Sequence, residues 1–384
     1  EKMRMKWSWK IGEFAGIPVY LHATFLLLLA WIAFSHWLQS RSFWPTVGAV
    51  GFMVAIFACV VFHECGHALM ARRFGIATKD ITLLPIGGLA RLDRMPEKPA
   101  QELWVALAGP AVNLGIAAIL GSYLLLSNHL DPIASLGVAR GNFVERLLIA
   151  NLFLVGFNMI PAFPMDGGRV LRALLAGRLD YARATRVAAG IVQALAFVFG
   201  LWGLVANPFL MIIALFVWIG AAQEAAMVET KSYLEGVSVR AAMIQNVEVL
   251  SPKEKLSKAV EFVRTSWQQD FPVVENDRVI GMLLRSDVFS AIANGRIDPQ
   301  ICELMRRDFP VADPLEPLES AYSRLHRTDS ATISIVRKGE LLGLLTLEHL
   351  TEFVLIQAAL KTARYAAGST RARVSQSREV QNPA

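Results

Sequence analysis

The sequence predicts a multi-pass α-helical membrane domain, with about six transmembrane helices and a small β-hairpin, followed by a soluble α+β domain built from a tandem repeat. Three observations carry this reading. The 384-residue chain is 54% hydrophobic and only 18% charged, with mean hydropathy +0.43, which is too apolar for an ordinary soluble protein. Its apolar residues are segregated: they dominate up to residue 228, and the remainder has ordinary soluble composition. The C-terminal part also resembles itself at a period of about 62 residues.

The opening stretch, Trp7 to His22, carries Gly12, Gly16 and Pro18 and alternates as Ile17-Pro18-Val19-Tyr20-Leu21. It reads as a short strand or interfacial segment. Six apolar segments follow, at 22–38, 46–71, 102–127, 146–165, 186–206 and 208–228, near the roughly 20 residues that cross a bilayer. Lys2, Arg4, Lys6 and Lys10 precede the first segment, but no small-residue cleavage site follows it. The segment is therefore expected to stay as an anchor.

Basic residues are frequent in alternate loops. Arg72, Arg73, Lys79, Arg91, Arg94 and Lys98 lie in the second, and Arg169, Arg172, Arg178 and Arg183 in the fourth, whereas Arg41 and Arg140 stand almost alone in the first and third. The positive-inside rule then places the protein in the cell membrane with both termini cytoplasmic. The net charge of +6 comes from residues beside apolar segments, not from a basic run, so no nucleic-acid partner is expected. Cys59, Cys65 and Cys302 are odd in number and follow no metal or disulfide spacing, which excludes a disulfide framework.

Within the second apolar segment stands His63-Glu64-Cys65-Gly66-His67. Histidines four residues apart share one helix face and can hold one Zn²⁺, with Glu64 beside them as candidate general base. Arg72 follows His67 by five residues, or about 8 Å of helix rise, so the metal is expected inside the membrane near its cytoplasmic side. A catalytic zinc with two histidines needs a third protein ligand. Asp166 is the carboxylate in the run Asn158-Met159-Ile160-Pro161-Ala162-Phe163-Pro164-Met165-Asp166-Gly167-Gly168-Arg169; the alternative is that it only caps the helix that follows. Two prolines and two glycines there preclude a regular helix. Asn113, after Ala108-Gly109-Pro110, is a polar side chain at membrane depth, either functional or bonding helices together. Between the second and third segments, Asp80 to Leu92 reads as a hairpin whose Gly87, Gly88 and Leu89 could offer a strand edge to an extended substrate.

In the soluble part, Val247 to Pro252, a helix, Phe271 to Glu275, Val279 to Leu284 and Ser286 to Phe289 are matched by Phe309 to Pro314, a helix, Thr332 to Val336, Leu341 to Thr346 and Glu348 to Leu350. The expected boundaries are a membrane domain at 1–228, a linker at 229–240, a repeat pair at 241–357 (241–297 and 301–357) and a disordered tail at 364–384, rich in Ala, Arg, Ser and Gln.

Together the His63-to-His67 motif, Ala108 to Asn113, the Asn158-to-Gly168 run, Tyr20-Leu21-His22-Ala23-Thr24-Phe25 and the repeat resemble the site-2 protease family of intramembrane zinc metalloproteases, in the branch with a tandem CBS domain. The resemblance implies an intramembrane endopeptidase with one zinc ion on His63, His67 and Asp166, Glu64 activating water, and Asn113 and Asn158 touching substrate or the oxyanion. It implies a membrane-anchored protein substrate, such as an anti-sigma factor, a membrane-tethered transcription factor or a signal-peptide remnant. His22, at a matching family position, is expected to make a structural hydrogen bond.

The CBS resemblance implies an adenine nucleotide, with Asp287 and Thr346 as its contacts. However, Leu284 stands where the first repeat should have a hydroxyl, and His349 where the second should have an aspartate. Homo-oligomerisation or substrate docking is the other role open to the pair. The competing class, a CBS-regulated transporter or channel, accounts for Asp166 but gives no reason for Glu64 beside His63.

Overall fold

The computed structural model describes residues 7–85, 87–93, 96, 98–127, 141–326 and 330–360. The tail at 364–384, Lys2, Arg4, Lys6, Arg94 and Arg140 lie outside the described residues. The chain divides into two compact units, 1–228 and 229–384.

The first unit opens with strands β1 (Ser8–Phe14) and β2 (Ile17–His22), then helices α1 (Ala23–Ser40) and α2 (Phe43–Arg73). A hairpin of β3 (Thr78–Leu84) and β4 (Gly87–Leu92) leads to α3 (Pro99–Leu126), α4 (Phe143–Asn158), α5 (Asp166–Ala176), α6 (Tyr181–Ala206) and α7 (Pro208–Leu234). The opening stretch is thus a full hairpin. It joins the expected one in a four-stranded sheet of order β1-β2-β3-β4, in which β2 and β3 run parallel. One edge of that sheet is β4.

Five helices, α1, α2, α3, α6 and α7, are long and apolar enough to cross a membrane. The sixth expected segment, 146–165, differs. Helix α4 has only 16 residues and stops at Asn158, because Pro161 and Pro164 supply no N–H to continue it. Asn142 starts it with a capping box to Glu145, which satisfies the free N–H groups of the first turn.

Small residues let the helices meet closely. Ala162, Ala188, Ala189, Ala196 and Ala221 pack with Phe163, Met165, Val192 and Val217 in one buried cluster, as expected where backbone approach drives association. The outer faces are apolar, with Leu204, Val205, Phe209 and Ile212 exposed. That inside-out pattern suits hydrocarbon, not water.

The second unit contains α8 (Leu256–Thr265), β5 (Phe271–Glu275), β6 (Arg278–Leu283) and α9 (Arg285–Ala293), then β7 (Val311–Ala312), α10 (Leu318–Leu325), β8 (Thr332–Arg337) and β9 (Glu340–Thr346). The repeats exchange strands symmetrically: Ile244 bridges to Leu344, and Met282 to Arg306, at matching positions. Across the pair Thr332 Oγ1 donates to Asp270 Oδ2 at 2.7 Å. The stretch expected as a linker is packed structure. Helix α7 runs on to Leu234, and Leu234 and Val239 are buried in the core with Leu318 and Ile333. Their apolar side chains complete the second repeat.

Candidate metal centre

Helix α2 carries His63 and His67 one turn apart, as an i, i+4 pair must be. Asp166 opens α5, and its buried carboxylate is turned back on that pair. His63 Nε2 lies 3.0 Å from His67 Nε2, and Asp166 Oδ2 lies 3.1 Å from each. A tetrahedral zinc with ligand bonds of 2.0–2.1 Å spaces its ligand atoms about 3.4 Å apart, so the triangle has the size that ion needs. These are the three residues that could hold a metal among the described residues.

The remaining ring nitrogens are pinned. His63 Nδ1 donates to Asn113 Oδ1 at 2.8 Å, and His67 Nδ1 donates to the Val105 carbonyl at 2.7 Å. These bonds assign the proton to Nδ1 and leave each Nε2 lone pair free for a cation. Asn113 is fully buried and its Nδ2 donates to Asn151 Oδ1 at 3.0 Å. Asn151 in turn donates to the Leu147 carbonyl at 2.9 Å. Asn113 is thus engaged on both sides by the protein, by His63 and by Asn151. Pro110 inside α3 is accommodated in the same wall.

Glu64, next in chain to His63, is half-buried under the hairpin. A Cβ on Gly88 of β4 would lie 2.6 Å from Glu64 Cγ, so the edge strand passes directly over the glutamate. Gly87 and Leu89 flank that point on β4. Asn158 ends α4 and its amide donates to the Leu154 carbonyl at 3.1 Å. Its hydrogen bond runs back into its own helix. His22 caps α1, accepting from Thr24 N at 3.3 Å.

A second buried polar cluster stands two turns along α5. Arg172 is fully buried, and its Nε donates to Glu102 Oε1 at 2.8 Å. It also pairs with Glu224, while Tyr181 Oη donates to Glu102 at 3.3 Å. The guanidinium sits 5.0 Å from the Tyr181 ring centre and 5.3 Å from that of Phe163. One arginine therefore ties α3, α5, α6 and α7 together. In the chain alone Arg172 is one more loop charge, because its carboxylate partners lie 52 to 70 residues away.

In the second unit, the two residues expected to contact a nucleotide each make a hydrogen bond within the protein. Arg306 donates to both Asp287 oxygens, at 2.9 and 2.8 Å, and Thr346 Oγ1 accepts from His349 N at 3.1 Å. A cleft of about 340 Å³ between the repeats is lined by Gln245, Val247, Val249, Val274, Asp277 and residues 340–343. Neither Asp287 nor Thr346 is among its lining residues.

Comparison with known proteins agrees with this organisation. The description Peptidase family M50 fits residues 51–136 and 131–199, and CBS domain fits 239–294 and 301–356. Zinc metalloprotease MJ0392 of Methanocaldococcus jannaschii is 34% identical over 280 residues, covering 73% of this chain and 78% of its own. The Mycobacterium tuberculosis protein named "Putative zinc metalloprotease Rip3" is 28% identical over 363 residues, covering 88% of this chain and 90% of its own. The solved site-2 protease from Methanocaldococcus jannaschii is 37% identical, with a TM-score of 0.42, and covers 57% of this chain and 95% of its own. The chain therefore belongs to peptidase family M50, the site-2 protease family of zinc metalloproteases, and is a multi-pass membrane member with a C-terminal CBS pair.

Proposed function

We propose that His63, His67 and Asp166 hold the catalytic zinc and that Glu64 is the general base of an intramembrane endopeptidase acting on membrane-anchored proteins. The observation that carries the reading is the convergence of His63 Nε2, His67 Nε2 and Asp166 Oδ2 within 3.1 Å of one another. When bound there, zinc supplies Lewis acidity, lowering the pKa of a water from 15.7 to about 7 and polarising a carbonyl. Glu64, adjacent to the ligands, takes the proton of the attacking water and returns it to the leaving amide nitrogen. Asn113, expected to touch substrate or the oxyanion, holds the His63 ring in its productive tautomer, with Asn151 fixing Asn113. Asn158 keeps its expected place as a substrate or oxyanion contact, the bond to the Leu154 carbonyl using one of its two amide hydrogens.

A transmembrane helix seals its peptide carbonyls in hydrogen bonds, so the substrate must unwind before it is cut. The free edge of β4 at Gly87, Gly88 and Leu89 would pair with the unwound segment and carry it past Glu64. With α4 and the run after it counted as the sixth crossing, both termini are assigned to the cytoplasm on the loop charges, which puts the cleaved bond near that face. Anti-sigma factors, membrane-tethered transcription factors and signal-peptide remnants are the substrate classes that fit. The CBS pair regulates the protease by self-association or by a ligand in the cleft between its repeats. An adenine nucleotide at Asp287 and Thr346 would share Asp287 with Arg306, which donates one hydrogen bond to each carboxylate oxygen.

The test is co-expression of Glu64→Gln protein with a membrane-tethered substrate. Zinc content equal to wild type with cleavage lost by about 10²- to 10⁴-fold, the usual contribution of a general base, supports the assignment. Undiminished cleavage refutes it.

A further inference from the structure

We infer that Gly109 of α3 sets the size of the ligand triangle, and that the metal centre exists only because this position has no side chain. The inference rests on the assignment of His63, His67 and Asp166 as ligands. A Cβ built on Gly109 would lie 2.2 Å from His67 Nε2, 2.6 Å from His63 Nε2 and 2.6 Å from His67 Cε1. Carbon and nitrogen not bonded to each other pack at about 3.5 Å, so one methyl group would drive both rings off their positions. The first two distances also approach the zinc–nitrogen bond length of 2.0–2.1 Å. The carbon would therefore compete for the space in which the two lone pairs meet.

Neither ring can yield without loss. His63 is held from behind by Asn113 Oδ1 at 2.8 Å and His67 by the Val105 carbonyl at 2.7 Å. Both acceptors belong to α3, the helix that carries Gly109. The same helix thus pulls the two rings in by their Nδ1 atoms and, at Gly109, leaves the gap into which their Nε2 atoms point. Gly66 of α2 adds to the closeness, since a Cβ there would meet the Ala108 carbonyl oxygen at 2.7 Å. Gly109 is a positioning residue: it acts on the metal through the histidines. Gly115, on the same helix, has nothing within 4 Å of its Cβ position, and so provides a matched control.

The experiment compares full-length wild type, Gly109→Ala and Gly115→Ala, each loaded with Co²⁺ in place of zinc and read by visible absorption and metal competition. Wild type and Gly115→Ala should give the same cobalt spectrum and affinity. Gly109→Ala should lose at least about the 10- to 100-fold affinity typical of disturbed ligand support, with an altered or absent spectrum. A wild-type spectrum and affinity in Gly109→Ala would overturn the inference. Wild-type protein without a cobalt spectrum would instead overturn the ligand assignment on which it rests.

Thermal midpoints guard against simple misfolding. Gly109→Ala should lower the midpoint in the wild-type background and have a smaller effect when His63 and His67 are both alanine, because the colliding rings are gone. An equal drop in both backgrounds would also overturn the inference.

Discussion

The two units treat their motif residues in opposite ways. In the membrane unit, His63, His67 and Asp166 arrive from α2 and α5 with one ligand atom each turned to a common point, while Asn113 and Val105 hold the other side of each imidazole. In the CBS unit, Asp287 gives both oxygens to Arg306 and Thr346 takes the His349 N–H. Each motif is visible in the chain, but only the first brings its polar atoms to one common point. A residue type at the right spacing marks a site most clearly when its polar atoms also converge.

Substitutions can break this contrast, beginning with the largest effect. Asp166→Ala removes a ligand and should leave neither zinc at stoichiometric level nor measurable cleavage, as read by metal analysis and a membrane-tethered substrate. Chelation of the wild-type enzyme should give the same loss, reversed by added zinc. Asn113→Ala leaves all three ligands but frees His63 Nδ1, so zinc affinity should fall about 10- to 100-fold in a competition titration.

The Arg172 cluster sharpens the comparison from the stability side. Arg172→Met strands Glu102 and Glu224 without their partner, and breaking a buried pair costs about 3–5 kcal/mol. The expected readout is a lower thermal midpoint of the membrane unit. The Asp287–Arg306 pair is partly exposed, at 21% and 47% of the two side chains, and such pairs are worth about 0–1 kcal/mol. Asp287→Ala should therefore barely move stability, and nucleotide titrations should show no binding lost with it.

How much of this was legible in the chain depends on the distance over which each signal acts. The i, i+4 histidines are local, so helix periodicity alone made them a pair. The hairpin of β3 and β4 was equally readable from strand propensity broken by Pro and Gly. Asp166 stood out as a carboxylate in an apolar, proline-broken run, although its approach to His63 spans 103 residues. The partner of β2 was not readable: a parallel pairing with β3 leaves no turn in the sequence. Nor were the partners of Asn113 readable, because its depth is visible in sequence but the direction of its amide is not. Arg172 looked like a loop charge until packing brought Glu102, Glu224 and Tyr181 around it. The fourth apolar segment read as a span by composition, yet the helix within it ends at Asn158, where the prolines begin to take effect.

The most direct test of the account is zinc X-ray absorption on the full-length protein in detergent. A first shell of nitrogen and oxygen atoms at about 2.0–2.2 Å, with the outer-ring scattering of two imidazoles and with the zinc signal lost in Asp166→Ala, is the expected result. A sulfur shell at about 2.3 Å, placing Cys65 or Cys59 on the metal, would contradict it.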